Sequence, residues 1–319
     1  MTFGPSINGT GLTVLALALT LFTSCDKRNE IKNGEGFVNV KGGKIWYCVR
    51  GHESKTPILL LHGGPGTPSY YLNPLSTLGK DRKVITFDQL GCGRSDAITD
   101  TTLMTIDSFV EQVNTLLSTL QIAKVHLYGH SWGTMLGVDY YLKYPRRIKS
   151  LILASPCLSA DMWVRDADSL ISTLPDSVQA ILHNNINGVP QDSAVLAKAV
   201  MVYSNSFYTR KTPISADIDS ANAKTGWNVY NYMWGPNEFF ALGTLKHYDR
   251  TKELPSIKVP TLYTCGDFDS ATPKTLKYYQ SLTPNSKLVV FKNAGHYTMH
   301  DNPEDNVRVI SAFLESVEK

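Results

Sequence analysis

Residues 125–144 restrict the fold more than any other stretch. Val125-His-Leu-Tyr128 reads as a buried strand, Trp132 to Tyr144 as a helix ending before Pro145, and the pentapeptide Gly129-His-Ser-Trp-Gly133 turns one into the other. A serine on so sharp a strand-to-helix turn has a strained backbone, and glycines beside it let the next element pack close. The turn pushes the hydroxyl out at the end of a sheet, in the pattern of a nucleophile elbow. That pattern requires an acid and then a histidine, each on a loop after a later strand.

The rest of the chain supplies such a sheet. Phe37–Val40 and Lys44–Val49 flank Gly42-Gly43 as a β-hairpin, and Pro57–His62 and Lys83–Asp88 are strands that each run into a glycine-rich loop. Phe109, Val110, Val113, Leu116, Leu117 and Leu120 recur at helical spacing, and Ser150–Ala154 is a further strand. From 158 to 252 strand-like runs vanish and aromatics crowd helical stretches, which reads as a helical cap inserted over the core. Strands at Thr261–Cys265 and Lys287–Phe291 then alternate with helices at Pro273–Leu282 and from Pro303 onward. The expected architecture is α/β, a mostly parallel sheet with helices on both faces, its core divided into 34–157 and 253–319.

A chain of 319 residues, 42% hydrophobic and 18% charged, is large enough to bury a sizeable core. Thirty-one Lys+Arg against 28 Asp+Glu leaves a net charge of +3, without the one-sided basicity of a nucleic-acid binder. The five cysteines form no CxxC pair, which removes structural zinc on spacing. No repeat of fixed period is visible, so solenoids and propellers are also excluded.

The elbow's partners stand in the required order. The strand at 261–265 delivers Gly266-Asp-Phe-Asp269, and the strand at 287–291 delivers Asn293-Ala-Gly-His296. Serine needs an imidazole to take its proton, and the imidazole needs a carboxylate to orient it. His296 is the expected base. His300 lies beyond the loop, where it is expected to solvate the start of the last helix. Asp267 and Asp269 both qualify as the acid, and Asp269, further past the strand end, is better placed to reach across to the histidine. An oxyanion hole needs two backbone N–H groups. One comes from Trp132, after the nucleophile, and the second is assigned to Gly64 in His62-Gly-Gly-Pro-Gly66. Cys92, beside the expected site, reads as a small apolar packing residue.

At the N-terminus, Leu12 to Phe22 is nearly unbroken apolar sequence, too short to span a bilayer, followed by Thr23, Ser24, Cys25 and the charged Asp26, Lys27 and Arg28. Residues 1–25 read as a secretory signal with lipoprotein-type processing at Cys25, and 26–33 as a polar tether. Phe22 stands where such processing boxes usually carry Leu, and residues 1–10 lack the usual positive charge. The expectation is export to the cell envelope, with the membrane reached through a lipid anchor on Cys25.

His62-Gly-Gly-Pro-Gly66, Asp88-Gln-Leu-Gly-Cys-Gly-Arg-Ser95, Gly129-His-Ser-Trp-Gly133, Gly266-Asp-Phe-Asp-Ser-Ala-Thr-Pro273 and Gly295-His296 together resemble the proline iminopeptidases of the α/β-hydrolase fold. The likeness includes the tricorn-interacting aminopeptidase and proline amide hydrolase branches, and runs from about residue 35 to the C-terminus. It implies a triad of Ser131, Asp269 and His296, and removal of an N-terminal residue, often proline, from short peptides or aminoacyl amides through an acyl-enzyme without metal or cofactor. It also implies carboxylates for the substrate's amino group, which ordinarily titrates at about pH 8 and is therefore protonated near neutrality. Glu238 matches the cap glutamate of that family; where tricorn-associated relatives have a second, this chain has Ser270, and Leu90 replaces a common Arg. The alternatives are an esterase or prolinamide-type amidase on the same scaffold, or a non-catalytic lipid-anchored binding protein. An Asp-nucleophile dehalogenase or epoxide hydrolase is disfavoured by Ser131 in the elbow.

Overall fold

Central strands buried on both faces explain the uninterrupted apolar runs of the sequence. In the computed structural model, which describes residues 1–6 and 31–319, eight strands form one sheet. They are β1 (Gly34–Val40), β2 (Gly43–Gly51), β3 (Lys55–Leu61), β4 (Arg82–Phe87), β5 (Val125–His130), β6 (Ile148–Ala154), β7 (Thr261–Gly266) and β8 (Ser286–Phe291), in the order β1-β2-β4-β3-β5-β6-β7-β8. The β1–β2 hairpin pairs antiparallel at one edge, and β2 pairs antiparallel with β4; every later pairing is parallel. All six residues of β5 and of β7 are buried, whereas edge strand β1 is largely exposed. Cys25 and most of the expected leader lie outside the described residues. The end of the expected tether belongs to the core, because the Ile31 N–H donates to Glu53 at 2.9 Å and its side chain packs on the main apolar cluster.

Helices α1 (Ile106–Thr119) and α2 (Trp132–Lys143) cover the sheet, and α1 starts where the Thr105 hydroxyl accepts from the Ser108 N–H. Its buried face is Phe109, Val110, Val113, Leu116 and Leu117, each contributing on the order of 2 kcal/mol of burial. Ser69–Lys80, by contrast, carries no sequence signal for an α-helix and folds as 3-10 turns. Leu72, Leu75 and Leu78 recur there every third residue, the period at which 3-10 side chains line up, and Pro74 is accommodated among them.

Between β6 and β7 the chain departs into α3 (Ala160–Ile171), α4 (Asp176–Ile186), α5 (Ser193–Phe207), α6 (Ala216–Ala223) and α7 (Trp227–Met233). The insertion is pinched at its base, where Ala160 N–H donates to Tyr248 O and Arg250 N–H to Leu158 O, both at 2.9 Å. Tyr203, Phe207 and Phe239 join Ile171 and Leu182 in a separate cap core, while Trp163, Tyr230 and Trp234 pack down onto the main one. The chain closes with α8 (Pro273–Leu282), the short α9 (Thr298–Asp301) and α10 (Pro303–Glu318).

Glu318, at the end of α10, fastens the N-terminal ends of the central strands, opposite the elbow. Its carboxylate takes His126 Nε2 at 2.9 Å, the Lys149 ammonium and, at 3.5 Å, Arg82. A carboxylate only accepts, so His126 Nε2 carries the proton and Nδ1 accepts from the Ser150 hydroxyl at 2.7 Å. Burial lowers the His126 pKa to about 4. A depressed histidine stabilises the fold above the unfolded pKa of about 6.5 and loses that stabilisation as pH falls toward the folded value. Urea unfolding should therefore show about 2 kcal/mol less stability at pH 5 than at pH 7 from this group, a slope that His126→Gln flattens.

Candidate active site

Ser131 sits at the N-terminus of α2 with φ 54° and ψ −123°, a conformation a non-glycine residue adopts only where its surroundings enforce it. Its N–H donates to Ala154 O at 3.0 Å, and its carbonyl accepts from the Thr134 N–H at 2.8 Å. The reason for glycine at 133 is direct, since a Cβ there would lie 2.4 Å from the Leu61 carbonyl oxygen. The helix can thus sit against β3 and leave Ser131 just past the C-terminal end of β5.

The loops after β7 and β8 bring His296 to Asp269, with Nδ1 2.8 Å from Oδ1. Asp269 is immobilised: Oδ1 also accepts from the Ala271 N–H at 2.8 Å, and Oδ2 from the Ser155 hydroxyl at 2.6 Å. Facing a carboxylate, Nδ1 carries the proton and Nε2 is left with the lone pair a base requires. Asp267 takes another part, accepting from the Ala294 N–H at 3.2 Å and so shaping the loop that presents the histidine. His300 differs from the sequence expectation. It does not serve the start of the last helix but donates from Nε2 to the Tyr71 carbonyl at 2.7 Å, because the short α9 turns it back toward the 3-10 segment. The cap joins this loop directly, as His296 N–H donates to Phe207 O at 2.9 Å and Tyr297 N–H to Tyr208 O at 2.8 Å.

Gly64, Ser131 and Trp132 line one small pocket of about 10 Å3, roofed by Trp163, Trp234 and Leu245. The Trp132 amide opens α2, where the helix dipole favours negative charge, and its indole is held by Gln89 at 2.9 Å. Glu238 lines the same pocket and also a second cavity of about 380 Å3 beneath the cap. Its backbone carbonyl accepts from Trp163 Nε1 at 2.9 Å, and the Tyr230 hydroxyl donates to its carboxylate. Glu238 keeps part of its surface open to these cavities, yet the protein around them removes it from bulk water. Burial accordingly raises its pKa, against the opposing influence of the Tyr230 hydroxyl and of His296. Ser270 stands 3.3 Å from His296 Nδ1 and adds no second carboxylate.

Several site residues escaped the sequence reading. Ser155 follows β6 at φ 48°, and its place after a strand end was the available clue. Tyr71 lies in the unforeseen 3-10 segment, and His130 was read only as an elbow position. The last two form a directed chain. His130 Nε2 faces the His296 carbonyl at 3.0 Å and must donate, so Nδ1 accepts from the Tyr71 hydroxyl at 3.0 Å, which itself accepts from the Gly63 N–H at 2.6 Å. Burial holds the His130 pKa well below the usual range, consistent with this neutral form. Tyr71 and His130 therefore position both the oxyanion loop and the backbone of the base. Tyr71→Phe leaves Nδ1 of His130 buried without a donor, and kcat should fall about tenfold with KM within about twofold of wild type. Steady-state kinetics tests this split; a rise in KM alone would assign Tyr71 to substrate binding instead. Cys92 Sγ lies 3.7 Å from His62 Nε2, but that nitrogen accepts from the Gln89 N–H and burial raises the thiol pKa, so Cys92 is inert packing.

Residues 56–303 match the family described as alpha/beta hydrolase fold. The chain is 43% identical over 286 residues to a proline iminopeptidase of Heyndrickxia coagulans, covering 89% of this chain and 99% of that one. It belongs to the proline iminopeptidase family. A proline iminopeptidase of Lactobacillus helveticus is 35% identical over 88% of this chain and 97% of its own length. The crystal structure of the Mycobacterium smegmatis proline iminopeptidase superposes with a TM-score of 0.83 at 28% identity, over 89% of this chain and 99% of that one. Within the family frame, Leu90 is a buried core residue whose N–H donates to Gln112 at 3.0 Å, so its difference from Arg concerns packing behind the oxyanion loop.

Proposed function

We propose that this protein is a serine aminopeptidase that releases an N-terminal residue, proline foremost, from short peptides or aminoacyl amides. The observation that carries this reading is Glu238, among the described residues the one carboxylate that lines both the pocket at Ser131 and the larger cavity. A partly desolvated carboxylate there selects a substrate with a positive amino group beside its scissile carbonyl. Ser131 Oγ then attacks that carbonyl while His296 Nε2 takes its proton, and Asp269 stabilises the imidazolium. The Trp132 and Gly64 N–H groups are the donors for the oxyanion. Collapse transfers the proton from His296 to the leaving amine, and water, activated by the same imidazole, hydrolyses the acyl-enzyme.

The test compares a prolyl arylamide with its N-acetyl form. Blocking the amine should lower kcat/KM by about a hundredfold or more, the scale of a charge-assisted contact in a buried site. Equal turnover of the two would favour an esterase or general amidase and dismiss the peptidase reading.

We also propose that the protein is exported and lipid-anchored through Cys25. Support comes from the apolar run ending at Thr23-Ser24-Cys25 and the charged residues after it. Among the described residues no helix is long and apolar enough to cross a membrane. Labelled fatty acid should enter wild type but not Cys25→Ser; an unlabelled, wholly cytosolic wild type refutes the anchor.

A further inference from the structure

The charge pattern around Glu238 constrains the other end of the substrate. Among the described residues that line the two cavities meeting at Glu238 there is no Lys, Arg or His. The larger cavity offers neutral polar groups such as Asn205, Asn222 and Thr209, aromatic and aliphatic walls, and the single carboxylate of Glu238. Arg210 and Lys224 adjoin lining residues in sequence, but both are exposed, and the Arg210 guanidinium lies 4.2 Å over the Phe268 ring. His296, held by Asp269, is not among the residues that line either cavity.

A volume of about 380 Å3 equals roughly a dozen water molecules, enough for one or two residues. That cavity opens to solvent beside exposed Asn205, Asn222 and Trp227, while its inner wall is formed by buried Tyr203, Thr209, Tyr230 and Phe239, so a leaving chain of several residues reaches water and the single leaving residue of a dipeptide stays closer to the inner wall. A free C-terminal carboxylate there would be partly desolvated with no cation among the described lining residues to pair with it, since the substrate's own ammonium is taken by Glu238. An amide at the same place meets asparagine and hydroxyl groups that can hydrogen-bond it. Building on the aminopeptidase reading above, we infer that the site selects substrates charged at one end only. These are aminoacyl amides, and peptides long enough to carry their carboxylate out to water, in preference to free dipeptides.

The experiment measures proline release from prolyl-glycine, prolyl-glycinamide and prolyl-triglycine by the full chain, with N-acetylprolyl-glycinamide alongside. The amide and the tetrapeptide should exceed the free dipeptide in kcat/KM by about tenfold or more. Asn222→Arg, which adds a cation to the cavity wall, should narrow the gap by raising turnover of prolyl-glycine. Equal kcat/KM for prolyl-glycine and prolyl-glycinamide in wild type overturns the inference and leaves the aminopeptidase reading intact. Equal turnover of the acetylated amide, or turnover of none of the prolyl compounds, overturns the aminopeptidase reading and the inference with it.

Discussion

Ser131→Ala should lower kcat by about a millionfold, the loss found when the nucleophile of such a triad is removed. The residual rate reflects the oxyanion donors and binding alone. Ser131 lies past the C-terminal end of β5 and is half-buried outside the apolar core, so thermal unfolding should be nearly unchanged by its loss. A fluorophosphonate probe should label wild type and leave the variant unmarked. Equal labelling of the two would return the fold to the reading of a non-catalytic binding protein. The acid gives a sharper comparison because two aspartates stand two positions apart. Asp269→Asn should cost about ten-thousandfold in kcat, since an amide cannot hold the imidazole in the required tautomer. Asp267→Asn, which alters the contact to the Ala294 N–H and a 3.9 Å pairing with the exposed Lys292 ammonium, should stay within about threefold of wild type.

The second large effect concerns Glu238. Glu238→Gln keeps the shape and the Tyr230 contact but removes the charge that pairs with the substrate's ammonium. kcat/KM on a free prolyl arylamide should fall about a hundredfold, about 2.7 kcal/mol, with little change on the N-acetylated compound. The pH dependence follows from the direction of the Glu238 shift. Burial raises its pKa, so on acidification it protonates before an ordinary glutamate does, and preference for the free amine fades from that higher pH downward. The glutamine variant should show a preference that is low and flat over the same range. A variant that lost activity on blocked and free substrates alike would make Glu238 a structural residue of the cap.

Several parts of this molecule were readable from residues alone because they depend on local backbone chemistry. A serine between glycines at a strand-to-helix junction implies a strained turn, and a strained turn at the end of a parallel sheet implies an exposed hydroxyl. Apolar runs four to six long marked the central strands, and the order Ser, Asp, His followed from which strand ends came later. The elbow, the oxyanion loop and the base were thus legible as positions along the chain. Asp267 and Asp269 were separable only in part, because the path of a loop after its strand is decided by what it packs against.

Tertiary structure alone decided the rest. Ser69–Lys80 has no α-helical period, so Tyr71 carried no signal, and only the fold brings its hydroxyl between Gly63 and His130. Ser155 is an ordinary serine until β6 and β7 lie side by side and place it 2.6 Å from Asp269. Glu238 was assigned to the substrate's amino group only through the family likeness, and its physical meaning depends on two cavities that exist only once the cap has folded over the sheet. Composition recorded a net charge of +3, but the absence of any cation on the described walls of those cavities is a property of packing. The sequence determined which chemistry the chain can carry, because nucleophile, acid and base follow strand order. Which charges face the substrate was decided by the fold, because burial sets the cost of each charge and only three-dimensional packing sets burial.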